Sequence, residues 1–121
     1  ANDVAVIMQL LLNKGEYNGV RYLKPETVKL FTTRFQGCSR RGIGFDMKEL
    51  DSKAQQNMCV SASDLAFGHL GFTGTVTWAD PKQDLVYVFL SNRTFPSMNN
   101  NKLIHMDTRI KIHQAIYDAI E

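Results

Sequence analysis

Little in this sequence stands out by excess, and what it lacks narrows the field. Only two cysteines are present, Cys38 and Cys59, too few for a disulfide framework. They are read as partly buried free thiols, with a mutual disulfide as the alternative. No third ligand residue stands beside them to complete a zinc site, so neither a metal nor a cofactor is expected. No apolar run approaches the length of a membrane span. Neither sign of charge dominates: 14 Lys and Arg face 12 Asp and Glu, a net charge of +2. That balance points away from nucleic acid and from acidic membrane surfaces as partners. No signal peptide or initiator Met opens the chain, and the first residues already carry a helix-start pattern, as in a cut or cleaved product. Internal repeats, low-complexity segments and signs of a second domain are absent. With 121 residues, 44% hydrophobic and 21% charged, residues 1–121 are expected to form a single domain or part of one.

What is present begins with a helix. Val4, Ile7, Met8, Leu11 and Leu12 recur at the spacing of one helical face. Asn2 or Asp3 can cap that helix, and Gly15 is placed to end it. Glu16 to Leu23 is expected to be a short connection. Pro25 and Glu26 suit the first turn of a second helix, which would bury Val28, Leu30 and Phe31 and end near Arg34. Gln36 to Gly42 is polar and loop-like; Arg40 and Arg41 there are expected to be solvated rather than to bind an anion. Ile43 to Met47 is expected to be a first strand, and Glu49 to Asn57 a surface excursion. Near the end, Asn101 is a candidate cap for a last helix. Its face would carry Leu103, Met106, Ile110, His113, Tyr117 and Ile120, widened by Ile112 and Ile116. Such a helix must pack on a sheet or expose a large apolar patch. His105 and His113 lie on it and are expected to be surface or packing residues.

The densest information lies between Phe67 and Asn92, FGHLGFTGTVTWADPKQDLVYVFLSN. A strand leads into the bend H-L-G-F-T-G, where Gly71 and Gly74 let backbone pass close to another group. Thr75 to Ala79 is rich in β-branched and aromatic residues. The turn Asp80-Pro81-Lys82-Gln83-Asp84 combines a fixed φ with a side chain that caps. The run Leu85 to Leu90, LVYVFL, is apolar throughout, which predicts a strand buried on both faces and central in its sheet. Trp78 and Tyr87 are expected to pair across the strands or fill the core, with stacking on a sugar as the lesser alternative.

H-L-G-F-T-G on a strand, followed by a hairpin ending in F-L-S-N-R, resembles the third active-site motif of the serine β-lactamase and penicillin-binding-protein superfamily, where K-T-G is usual. A branch similar to class C β-lactamases, esterases and D-amino-acid peptidases carries H-x-G instead. The resemblance takes in the opening NDVAVIMQLLLNKGEYNGVRYLKPETVKLF and the Ile43 to Phe45 strand, and is closest to the domain appended to some bacterial β-N-acetylhexosaminidases. It implies an extracytoplasmic or periplasmic setting, a small-molecule or peptide substrate, and serine acyl-enzyme chemistry on a β-lactam, an ester or a D-amino-acid peptide.

Two of the family's three motifs are missing. None of the six serines, Ser39, Ser52, Ser61, Ser63, Ser91 and Ser97, has Lys three residues later, so S-x-x-K is absent. No tyrosine begins Y-x-N. Ser97-Met98-Asn99 matches S-x-N by letters but follows the hairpin that it should precede, and is expected to be a chance match. The chain is therefore expected to be the C-terminal part of a longer enzyme and inactive alone, with a non-catalytic cell-wall- or glycan-binding module as the alternative.

By resemblance, Phe72 offers its backbone N–H as one oxyanion donor, and the nucleophile's own N–H is the other. His69 stands where the family usually has Lys, able to bond the catalytic tyrosine or a substrate carboxylate; unlike lysine, histidine titrates near neutral pH. Gly71, Thr73 and Gly74 are the expected substrate-binding positions. The predicted order of helix, helix, strand, strand, hairpin and helix gives an α+β fold, an antiparallel sheet flanked by helices. By resemblance it is the C-terminal portion of the β-lactamase/transpeptidase-like fold. A homodimer through an exposed sheet edge or the last helix is the expected association.

Overall fold

In the computed structural model, which describes residues 1–120, the apolar stripe at the start becomes helix α1, Asn2–Leu12. Its N-cap is Ala1, with no side-chain cap, so Asn2 and Asp3 lie inside the first turn rather than capping it. Only Met8 of the stripe is buried; Ile7 is exposed. Gly15 follows at φ 92, its space bounded by the Leu23 backbone. The expected connection after it is instead a small hairpin, β1 Glu16–Tyr17 and β2 Val20–Arg21. Asn18 and Gly19 turn it at φ 50 and 74, the two positive values that a two-residue type I′ turn demands.

Helix α2, Pro25–Phe31, starts at the proline as expected and stops short of Arg34. It buries Val28 alone; Leu30 and Phe31 are exposed. The strand expected over Ile43 to Met47 shrinks to β3, Asp46–Met47. Arg40 and Arg41 stay solvent-accessible as expected, Arg40 half-buried and Arg41 exposed, but both guanidiniums also pair with the buried Asp46 carboxylate, at 3.0 and 2.5 Å.

The main sheet is antiparallel in the order β3-β4-β5-β6, with β4 Phe67–Leu70, β5 Val76–Asp80 and β6 Leu85–Phe89. LVYVFL is thus the edge strand of the described sheet, not a central one. It is nevertheless covered on both faces, because side chains alternate along a strand. On one face Leu85, Tyr87 and Phe89 join Val76, Trp78, Met58, Cys59 and Tyr117 in one core cluster. On the other, Val86 packs with Met8, Met47, Phe67 and Ala79 in a second. Trp78 and Tyr87 pair directly across β5 and β6, 2% and 5% exposed, which leaves neither ring open to a sugar.

The first face is covered by the last helix, which breaks where the sequence suggests one continuous rod. Helix α3, Lys102–His105, gives way to α4, Thr108–Ile120, with Asp107 between them at φ 50. The result is an α+β layering, α1 against one face of the antiparallel sheet and α4 against the other. Gly68 sets how closely β4 and β5 approach: a Cβ there would sit 1.9 Å from the Thr77 carbonyl oxygen and 2.6 Å from the Trp78 ring.

Candidate active site

The bend H-L-G-F-T-G is itself a tight hairpin turn. Gly71 N–H donates to Thr75 O at 2.8 Å and Gly74 N–H to Gly71 O at 2.9 Å. Gly74 lies at φ 93, the left-handed residue that closes a three-residue loop of this kind. These bonds leave Phe72 N–H without a backbone acceptor among the described residues. An unused N–H at the end of a strand, on a loop with an exposed residue, is the raw material of an oxyanion donor.

His69 pairs with Thr77 across β4 and β5 and shares its face with Phe67 by the two-residue period. It therefore stands on the α1 side of the sheet, exposed, its Nδ1 2.8 Å from the neighbouring Leu70 O. His69, Gly71, Thr75 and Thr77 line a groove of about 250 Å³ with Val4 of α1 and Leu90 beyond β6. The Thr77 hydroxyl in that groove is buried and has no partner among the described residues.

The predicted positions thus divide. His69 and Gly71 line the groove, while Phe72, Thr73 and Gly74 form the loop at its end and are not among the groove's lining residues. Gly71 has a packing reason as well: a Cβ there would come 2.0 Å from Thr75 Oγ1. At Gly74 a Cβ would come 2.6 Å from Ser91 Oγ, on top of the positive φ, so both glycines serve the turn itself. Ser97-Met98-Asn99 lies in an exposed loop where Ser97 Oγ accepts only the Asn99 N–H, at 3.3 Å.

Sequence reasoning missed the residue that ties this loop down. Arg93 donates through Nε to Phe72 O at 2.9 Å and through its backbone N–H to Thr73 O at 2.9 Å. Its guanidinium carbon sits 4.9 Å from the centre of the Phe72 ring. Arg109 reaches the same loop from α4, donating to Gly74 O at 3.3 Å; burial lowers its pKa, though a guanidinium stays charged. F-L-S-N-R carried the only signal for Arg93, as the polar end of an apolar strand.

The α4 face holds a second set of polar groups, all internal. Asp80 Oδ2 accepts from Ser63 N–H at 2.8 Å and from the Tyr117 hydroxyl at 2.6 Å. Its Oδ1 accepts from Ser63 Oγ at 2.6 Å and Lys82 N–H at 2.9 Å. Burial opposes ionisation of Asp80, but the bonds from Ser63 and Tyr117 outweigh it and bring its pKa below the ordinary value. The Tyr117 hydroxyl is pushed well up, by burial and then by donating to that carboxylate. Burial also pushes Tyr87 up to about 12. His113 stacks on Tyr87 at 4.8 Å and meets the edge of Tyr117 at 5.1 Å. Burial pulls its pKa down to about 4, against the pull of Asp80. His113 is therefore a packing residue, and His105 is exposed. Both cysteines are free, Cys38 exposed and Cys59 buried, the latter thiol pushed up by burial.

No cluster of three or more His, Cys, Asp or Glu able to hold a metal occurs among the described residues. No helix among them is long and apolar enough to cross a membrane.

An antiparallel sheet between two helices is consistent with the α+β fold of the β-lactamase and penicillin-binding-protein type. The Beta-lactamase family model matches residues 1–107, and the chain belongs to that family. It is 38% identical over 91 residues to a protein of Escherichia coli strain K12 named "Putative D-alanyl-D-alanine carboxypeptidase", covering 75% of this chain and 21% of that protein. A protein of the same name from Salmonella agona strain SL483 is 34% identical over 102 residues, covering 84% of this chain and 23% of the relative. The chain thus spans between a fifth and a quarter of the length of the curated relatives that it matches.

Proposed function

We propose that this chain forms one wall of the catalytic cleft of a serine acyl-transfer hydrolase, related to class C β-lactamases, that acts on a D-alanyl-D-alanine-type peptide. An ester or a β-lactam is the neighbouring substrate class. The observation that carries the reading is the turn after β4, where His69 stands exposed in a groove and Phe72 N–H is left out of the hairpin's own bonds. The names of the relatives support the peptide substrate. Placement near the domains appended to bacterial β-N-acetylhexosaminidases rests on the opening helix and H-L-G-F-T-G alone. A cell-wall substrate of this class would put the protein outside the cytoplasm.

In the proposed reaction a serine hydroxyl supplied from outside these 121 residues attacks the scissile carbonyl carbon. The carbonyl becomes an oxyanion, the leaving amine takes a proton, and water later hydrolyses the acyl-serine ester. Phe72 N–H would donate to the oxyanion, a contribution of about 3 kcal/mol for one good donor. His69 would bond the tyrosine base or the substrate carboxylate. Gly71 keeps a side chain out of the approach, and Thr73 and Gly74 shape the rim.

The test compares the 121-residue chain with the longer protein that contains it, each incubated with a fluorophosphonate and a β-lactam and weighed intact. A stoichiometric adduct is expected on the longer protein, on a serine of an S-x-x-K motif, and none on the chain, because a missing nucleophile leaves only residual catalysis. An adduct on any of the six serines here would overturn that division. A longer protein with no S-x-x-K and no adduct would favour a binding module for cell wall or glycan.

A further inference from the structure

The carbonyl groups of the Gly71–Gly74 turn are all tied, and Arg93 supplies two of the ties. Gly71 O accepts from Gly74 N–H. Phe72 O accepts from Arg93 Nε, Thr73 O from Arg93 N–H and from Ser91 Oγ, and Gly74 O from Arg109. The remaining arm of Arg93 points away from the turn. Its Nη1 donates to Met98 O at 3.3 Å, Asn100 O at 3.2 Å and Asn101 Oδ1 at 3.1 Å. One side chain therefore joins the turn to the loop that leads into α3.

We propose that Arg93 is a positioning residue for the Phe72 N–H: by clamping the Phe72 carbonyl, covering the Phe72 ring and anchoring both to the Met98–Asn101 loop, it fixes the peptide unit after Phe72 and so completes the hold that the Gly74–Gly71 bond has on the unit carrying that N–H, keeping it in one orientation for the developing oxyanion. The proposal rests on the acyl-transfer reading above. A peptide N–H is aimed by the planar unit that carries it and by the dihedral angles on either side. The Gly71–Phe72 unit is held by the Gly74 bond, and the next unit by Arg93. Phe72 itself is an exposed residue on a loop, with no packing of its ring against either core cluster. Without Arg93, the peptide unit after Phe72 loses its only anchor among the described residues. An oxyanion donor works because its direction costs nothing to set at the moment of reaction, so a turn that must first be ordered loses rate rather than substrate affinity. Lysine cannot substitute. It keeps the charge, but its single ammonium cannot engage Phe72 O and three acceptors of the far loop in the fixed fork that a guanidinium provides.

The test uses Arg93→Lys and Arg93→Ala in the longer protein. Expected for Arg93→Lys is an acylation rate by a β-lactam or fluorophosphonate lowered about 10- to 100-fold with KM nearly unchanged, and affinity for a boronic acid reduced by a similar factor, since boronates mimic the tetrahedral oxyanion. Its melting temperature should stay close to wild type, and Arg93→Ala should behave alike with a larger loss. Hydrogen–deuterium exchange supplies a readout independent of activity. A peptide spanning residues 69–75 should exchange faster in Arg93→Lys, while one spanning 85–90 should not. Unchanged acylation and boronate affinity, or unchanged exchange over 69–75, overturns the proposal. A wild-type protein that reacts with none of these probes overturns the acyl-transfer reading and the oxyanion role with it; the exchange comparison then still decides whether Arg93 orders the turn.

Discussion

Two histidines sit on opposite faces of one sheet, and their surroundings differ in every respect that matters. His113, on the α4 face, is 2% exposed and lies between two tyrosines beside a carboxylate that has four donors. His69, on the α1 face, is exposed and bonds only the carbonyl next to it. On the α4 face the Asp80 carboxylate and its donors are spent on one another, while His113 Nδ1 is buried without a partner among the described residues and is held by ring packing instead. The polar groups around His69 are left over, including the Thr77 hydroxyl and the Phe72 N–H. A fold satisfies its buried polar groups for stability, so what it leaves unspent beside a groove is available to a ligand.

The comparison breaks most easily at Asp80. Asp80→Ala strips the acceptor from four buried or half-buried donors and should cost about 4 kcal/mol, read as a shift in the urea midpoint by circular dichroism. A loss under about 1 kcal/mol would mean that the α4 face is not the stabilising one. Next comes acid. His113 titrates near 4 in the folded protein, below its ordinary 6.5, so the unfolded chain binds the proton more readily. Its contribution is fully present above pH 6.5 and is lost as pH falls toward 4, in all up to about 3 kcal/mol. His113→Phe should flatten that part of the stability curve, measured by urea titrations from pH 8 to 4. Asp80 adds a further loss only at lower pH, since its pKa is lowered.

On the other face the readout changes from stability to rate. His69→Ala in the longer protein should lower turnover about 10- to 1000-fold, which is about 1.4–4 kcal/mol of transition-state stabilisation. Its melting temperature should hardly move, because an exposed side chain has little packing to lose. A sharp drop in stability with turnover intact would make His69 a second structural histidine. Gly71→Val, by contrast, should harm both, because the side chain collides with Thr75 as well as entering the groove. The smallest effect is expected at Thr77→Val, where removing an unpartnered buried hydroxyl should raise stability by about 0.5 kcal/mol, provided that no ligand uses it.

How much of this the residues announced depended on range. Local chemistry was legible: the proline start of α2, the Asp80 side chain capping its turn, the Trp78–Tyr87 pair, and the glycine bend that carries His69. The Asn18-Gly19 turn was equally local, but its hairpin lies in a segment too short for any hydrophobic period to show. The position of LVYVFL in the sheet was not legible, because a run that is apolar on both sides reports cover by helices as readily as neighbouring strands. Nor was the Asp80 network: Ser63 and Tyr117 lie 17 and 37 residues away, and no motif spans such gaps. Arg93 escaped for the same reason, since all but one of its hydrogen-bond partners are backbone carbonyls, which any residue supplies.

Trp78 carries a practical consequence. It is the one tryptophan of the chain, 2% exposed, and belongs to the cluster under α4. Intrinsic fluorescence will therefore behave as a one-sided gauge, following the integrity of the α4 face closely and staying dark to events around His69. A ligand that fills the groove should leave the emission maximum where it was, and an optical screen for binders needs a second chromophore on the α1 side.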